Sequence, residues 1–244
     1  MKLSDTREFE LVPEGVYTAR CIRHIDGGTQ EIDYLGNVSY KRQLRLTWEL
    51  LDDEIKMKDG KPFGISKTYT ASLNPKASLR RDLEAWRGKK FTEEELKGFD
   101  SKNLLDSYCT VQVVHKESSN GNTYANINAI MAAKKPYPKG VNPTIYWSYD
   151  EVDPEVFAHL TPWEKEYVGK AEEWYPSIAQ KAAEFEQKEA ENSTRELKKS
   201  VAQKEVVIED IPDDQEEVDK RVDEAADQLG GTKLTQEELK EVPY

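Results

Sequence analysis

SYKRQLRLTWELL, residues 39–51, alternates strictly: Leu44, Leu46, Trp48 and Leu50 interleave with Gln43, Arg45, Thr47 and Glu49. Strand side chains point to opposite faces with a period of two, so the pattern predicts a β-strand with one apolar face. Upstream, GVYTARCIRHID (15–26) is β-branched and aromatic and is followed by Gly27-Gly28, which predicts a strand ending there. Downstream, DDEIKMKDGKP (52–62) reads as a polar turn and GISKTYTA (64–71) as a third strand.

The period then changes. In PKASLRRDLEAWR (75–87), Leu79, Leu83 and Trp86 recur at helical spacing, with Asn74 as N-cap, Pro75 in the first turn and Gly88 as the stop. Thr92 with Glu95 three residues on is a capping box opening a short helix over 92–97. Alternation resumes in SYCTVQVVHK (107–116) and TYANINAIMA (123–132), joined through the hairpin signal Asn120-Gly121. Three strands, a helix and two strands is the element order of the OB-fold, a five-stranded Greek-key barrel. The expected fold class is therefore mainly β with α insertions, an OB-like barrel over residues 1–135.

Residues 133–149, AAKKPYPKGVNPTIYWS, are Pro-rich and read as an extended crossing segment. Phe157, Leu160, Trp163, Tyr167 and Trp174 sit in short helical patches suited to packing back on the barrel, so 136–175 is expected to be an extension of it. Residues 176–204 read as a charged helical arm with few apolar anchors (Ile178, Phe185, Leu197, Val201), and 205–244 as an acidic, disordered tail.

Composition agrees with a partly extended chain, since only 37% of the 244 residues are hydrophobic and 34% are charged. The net charge of -12 is unevenly placed. Residues 205–244 hold fourteen acids and four bases, a net -10, which leaves -2 for residues 1–204 and about +3 for residues 1–140. The bases cluster as Lys41/Arg42/Arg45, Lys76/Arg80/Arg81, Arg87/Lys89/Lys90 and Lys134/Lys135/Lys139. Phosphate contacts need local cations, so the low overall pI does not argue against nucleic acid.

Several classes are excluded. No G-x-S-x-G, phosphate loop, H-E-x-x-H or Cys-x-x-Cys is present. The acidic pairs Asp52-Asp53 and Asp213-Asp214 fall in a turn and in the tail, so no catalytic residue is assigned and no enzyme is expected. His24, His115 and His159 lack metal-ligand spacing, Cys21 and Cys109 read as reduced core thiols, and neither metal nor cofactor is expected. No window of about 18 apolar residues and no signal-peptide core appear, so a cytoplasmic protein without membrane contact is expected.

The remaining candidates suit a single strand of nucleic acid, which is held by base stacking and by phosphate contacts together. Lys41, Gln43 and Arg45 are expected to face outward from the second strand, opposite Leu44, Leu46 and Trp48. Among tyrosines in or beside strands (Tyr17, Tyr34, Tyr40, Tyr69, Tyr108, Tyr124), some must be core. Tyr34 and Tyr40 flank the Gly-containing loop where an OB-fold grips its ligand, and Tyr124 follows the Asn-Gly turn. The predicted nucleic-acid site is Tyr34, Tyr40, Lys41, Arg45, Lys67, Tyr69, Lys116 and Tyr124. The helix adds Lys76, Arg80, Arg81 and Arg87, which could extend a phosphate track or simply solvate the helix.

GVYTARCIRHIDGGTQE (15–31), RQLRLTWEL (42–50), SLNPKASLRRDLEAWRGKKFTEEEL (72–96), GNTYANI (121–127) and VDPEVFAHLTPWEKEYV (152–168) together resemble a family of phage and prophage proteins named as single-stranded DNA-binding or replication-associated. The resemblance covers roughly residues 10–175. It implies sequence-tolerant binding of single-stranded DNA in phage replication or recombination, in the host cell cytoplasm. The tail resembles those of bacterial single-stranded DNA-binding proteins, which end in acids followed by Pro-Phe. Here the end is Pro243-Tyr244 with Lys240 nearby, and Ile211-Pro212 lies some thirty residues upstream. Docking of replication or recombination proteins is accordingly expected at Asp210, Ile211, Pro212, Val242, Pro243 and Tyr244. The sequence leaves a homodimer open. The alternative is a non-enzymatic interaction protein, either a scaffold or a DNA-mimicking inhibitor of host defence.

Overall fold

In a computed structural model, residues 10–209 are described. The strands are β1 (Gly15–Tyr34), β2 (Asn37–Leu50), β3 (Gly64–Thr70), β4 (Tyr108–Glu117), β5 (Thr123–Ala132) and β6 (Ile145–Trp147). The helices are α1 (Ser78–Arg87), α2 (Glu93–Lys97), α3 (Pro154–Ala158), α4 (Pro162–Val168) and α5 (Pro176–Glu209). A six-stranded, mainly antiparallel sheet runs in the order β3-β2-β1-β4-β5, with β6 added in parallel to β1 at Arg23–Ile25. The edge strands β3 and β5 approach each other but share no ladder among the described residues, so the sheet is open between them. Helix α1 packs on β5 and β3 beside this opening.

The inner face buries Leu44, Leu46, Trp48 and Leu50 with Ala19, Cys21, Ile65, Val111, Val113 and Ile127, capped by Leu79, Leu83 and Trp86 of α1. Each of the Leu, Ile and Val side chains among them contributes roughly 1.5–3 kcal/mol when fully buried. A separate core lies on the other face of β1, where Ile25 meets Trp147, Phe157, Leu160, Val168, Ile178 and Ala182.

Two local expectations change. Gly27-Gly28 does not end β1: the strand continues to Tyr34 through a register shift between Asp26 and Gly28. A Cβ on Gly27 would overlap the Tyr167 hydroxyl, so this glycine admits α4 rather than breaking the strand. The hairpin turns instead at Leu35 and Gly36, both with positive φ (52° and 81°), as a two-residue turn matching strand twist requires. Asn74 does not cap α1. Its side chain accepts from the Lys76 N–H in a separate turn, and the helix starts after Ala77 without a side-chain cap. The Thr92–Glu95 capping box forms as expected.

The chain divides into a compact unit through Glu186 and a second unit from Gln187 onward. The first turns of α5 belong to the former, burying Ile178 and Ala182. In the latter, helix is described to Glu209. No described helix is long and apolar enough to cross a membrane.

Candidate nucleic-acid interface

The outer face of β2 is not the solvated cation row that alternation suggests. Arg45 is half-buried: its guanidinium lies 4.3 Å from the Trp163 ring centroid and donates to Thr68 Oγ1 at 3.0 Å. Burial pulls its pKa below the ordinary guanidinium value. Gln43 accepts from the Tyr167 hydroxyl at 2.8 Å, and Trp163 stacks on Tyr167 at 5.1 Å. Further along, Glu49 is wholly buried, accepting from Arg20 and from the backbone of Val141 and Asn142. The extension after β5 covers this face. Only Lys41 of the row is exposed.

The other predicted residues separate by face. Tyr69 is cross-strand from Leu44 and points into the core, 2% exposed, with its hydroxyl donating to Asp82 at 3.1 Å. Burial and that carboxylate push its pKa up. It cannot stack on a base, and as a binding residue it is corrected to a core residue. Lys67, cross-strand from Leu46, leaves the inner face at the opening between β3 and β5. It donates to Asp82 at 2.7 Å and to the Ile127 carbonyl at 3.5 Å. Tyr34 and Tyr40 are exposed on the β1–β2 hairpin, but on opposite faces: Tyr34 pairs with Asn37, Tyr40 with Glu31. The Tyr40 hydroxyl donates to Glu31 at 2.9 Å. Lys116 and Tyr124 are cross-strand partners, both exposed.

Basic clusters are thinned by internal ion pairs. Arg42 binds Asp26 and Asp150, Arg80 binds Glu84, and Arg87 and Lys89 both bind Glu95. The Thr92 N–H foremost, and then Arg87 and Lys89, hold the Glu95 carboxyl down to about 2. Lys41, Lys76, Lys90, Lys116, Lys134 and Lys139 have no ion pair among the described residues.

Of these only Lys116 reaches a groove of about 580 Å³ at the open side of the sheet, which Asp82 and its two partners Lys67 and Arg81 also line. Lys67 and Arg81 line it from β3 and α1, and Lys116, Asn126 and Asn128 from β4 and β5. Arg81 is exposed, with a single long contact to Asp82 at 3.3 Å. Tyr124 shares a face with Asn126 and Lys116, placing a half-exposed ring beside Lys116 though outside the groove lining. Asn126 and Asn128 were not distinguishable in the sequence from other strand polar residues; their position at the sheet edge is what matters. A larger cleft of about 940 Å³ runs along β6, with Pro143, Ile145, Tyr146, Val152 and Val156 in its walls. No group of three or more His, Cys, Asp or Glu among the described residues is placed to hold a metal ion. Asp210, Ile211, Pro212, Val242, Pro243 and Tyr244 lie outside the described residues. No family model and no curated protein matches the sequence.

Proposed function

We propose that the chain binds single-stranded nucleic acid, DNA foremost, without sequence preference, and is not an enzyme. The observation that carries this reading is the groove between α1, β3 and β5, where Lys116 and two amides face Lys67 and Arg81, which share Asp82, and where the exposed Tyr124 is the cross-strand neighbour of Lys116. Cations for phosphates beside an aromatic face for bases is the combination that single strands require. Strand order β3-β2-β1-β4-β5 supports reading the sheet as an OB-like barrel whose β3–β5 closure is left open. The role is a replication or recombination accessory of the phage type. Its acidic segment 205–244, at net -10, docks partner proteins.

Fluorescence anisotropy of labelled oligo-dT against duplex of equal length, at low and high salt, tests the proposal. Preferential binding of oligo-dT that weakens with salt is expected; equal affinity for duplex overturns it.

The β6 cleft favours a second reading, a protein-interaction module. β6 pairs with β1 alone among the described residues, and its Ile145 and Tyr146 line the larger, mainly apolar cleft. Addition of an extended strand to a free sheet edge is a recurrent peptide-recognition mode. Under that reading Lys116→Glu leaves all binding partners unchanged.

A further inference from the structure

Two lysine clusters far apart in sequence follow chain ends that come together beyond the groove. Helix α1 ends at Gly88, where a Cβ would stand 3.9 Å from Ala132, the last residue of β5. Lys90 therefore follows the helix on the side where Lys134, Lys135 and Lys139 follow the strand. Lys90, Lys134 and Lys139 are exposed and have no ion pair among the described residues. Lys90 also lies near enough to Glu84 to help lower that carboxyl, so Lys134 and Lys139 are the cations of the cluster most open to a polyanion.

Between those lysines stands an aromatic platform. Tyr137 stacks on Tyr108 with ring centroids 4.6 Å apart and planes 8° from parallel. Tyr108 is half-buried at the start of β4, and its backbone carbonyl accepts from Trp86 Nε1 at 2.7 Å, so the main chain that carries the lower ring is tied to α1. Tyr137 remains 41% exposed, with the Lys135 ammonium 5.9 Å from its centroid. Pro136 and Pro138 flank it and restrict the backbone on either side. A held ring with one face on a partner, the rest in solvent and cations around it offers a base a stacking surface and its phosphates a contact.

We infer that the Lys134–Lys139 strap is a second subsite for single-stranded nucleic acid, with Tyr137 as its stacking residue and Lys90, Lys134 and Lys139 as its phosphate contacts. The inference rests on the proposed function and extends it. One strand enters beside Tyr124, follows the α1–β5 groove and ends on Tyr137. The eight residue steps from Tyr124 to Ala132 span ~27 Å, room for several nucleotides, so a short oligomer fills only one of the two subsites.

The test measures anisotropy of full-length wild type, Tyr137→Ala and Tyr175→Ala with dT oligomers of about 4 and about 16 nucleotides, the two ends of the usual site size. Tyr175 is 64% exposed and outside the track. Tyr137→Ala is expected to weaken the long oligomer by about 5- to 150-fold while leaving the short one within about twofold. Tyr175→Ala is expected to change neither. Should loss of the Tyr108 stack unfold the strap, the double variant Lys134→Glu/Lys139→Glu leaves both rings intact. It is expected to flatten the salt dependence by about 0.7 for each phosphate it no longer binds. Wild-type affinity of Tyr137→Ala for the long oligomer, or an unchanged salt slope in the lysine variant, overturns the strap subsite alone. Wild type that binds neither oligomer overturns the nucleic-acid reading itself.

Discussion

Lys67 reaches across the open side of the sheet to Asp82, 2.7 Å from ammonium to carboxylate, and thereby ties β3 to α1 where β3 and β5 share no ladder. The same Asp82 oxygen accepts from Tyr69, so one buried carboxylate satisfies two groups on β3. Removing it strands a half-buried cation and a buried hydroxyl. Asp82→Ala is expected to cost about 3–5 kcal/mol in urea unfolding, and Asp82→Asn less, because the amide oxygen still accepts. Equal midpoints for Asp82→Ala and wild type would show that the pair does not hold the seam.

Cations left unpaired and cations already neutralised should differ in salt dependence. Lys116 lines the groove without an ion pair among the described residues, whereas Arg80 is bound to Glu84 at 2.9 Å. Lys116→Gln is expected to reduce the slope of log affinity against log salt by about 0.7, and Arg80→Gln to leave it nearly unchanged. Titration of labelled oligo-dT over a salt series measures both. Identical slopes would place Lys116 off the phosphate path.

Alternation and helical periodicity made most elements legible, because Leu44, Leu46, Trp48, Leu79, Leu83 and Trp86 obey the period of their own element. The outer face of β2 was not legible, for a physical reason. Period two says which residues share a face but not what covers it. Arg45, Thr47 and Glu49 look solvated along the strand, yet Glu49 is fully buried by a segment some ninety residues downstream. The inward register of Lys67 and Tyr69 follows from pairing with Leu46 and Leu44, which the sequence of β3 alone does not state. The groove itself depends on how closely α1 approaches β5, a tertiary distance that no local pattern encodes.

Burial of proton-releasing groups predicts alkaline sensitivity. Burial raises the Cys21 thiol from 9.0 to about 12 and the Tyr167 hydroxyl from 10.0 to about 12, and it is the largest cause for both. Cys109 is raised by the same cause. The unfolded chain therefore releases these protons at lower pH than the folded one. Their contribution is fully present below about pH 9 and is lost as pH rises toward about 12, at roughly 1.4 kcal/mol per pH unit for each titrating group. Urea midpoints measured at half-unit steps from pH 8 to 11 are expected to fall, and Cys21→Ala to fall less steeply between 9 and 10. A flat profile would mean that these groups titrate alike in both states.

Gly28 and Gly36 both have positive φ, 63° and 81°, yet they occupy opposite surroundings. A Cβ at Gly36 meets nothing within 4 Å, so the cost of alanine there is that of the left-handed backbone alone. At Gly28 it would stand 2.6 Å from the Ala171 Cβ, 2.7 Å from Glu173 Oε2 and 2.8 Å from the Tyr149 ring. Glu173 is the side chain that accepts from the Thr29 N–H and hydroxyl, at 2.6 and 2.7 Å, so displacing it breaks two hydrogen bonds between β1 and the segment before α5. Gly36→Ala is expected to cost about 1–2 kcal/mol, and Gly28→Ala about 2–4 kcal/mol because overpacking adds to the same backbone cost. Urea unfolding of the two variants separates the contributions. Limited proteolysis should cut near 169–175 sooner in Gly28→Ala than in Gly36→Ala. Equal losses of stability and equal cleavage would mean that the segment does not depend on the close approach the glycine permits.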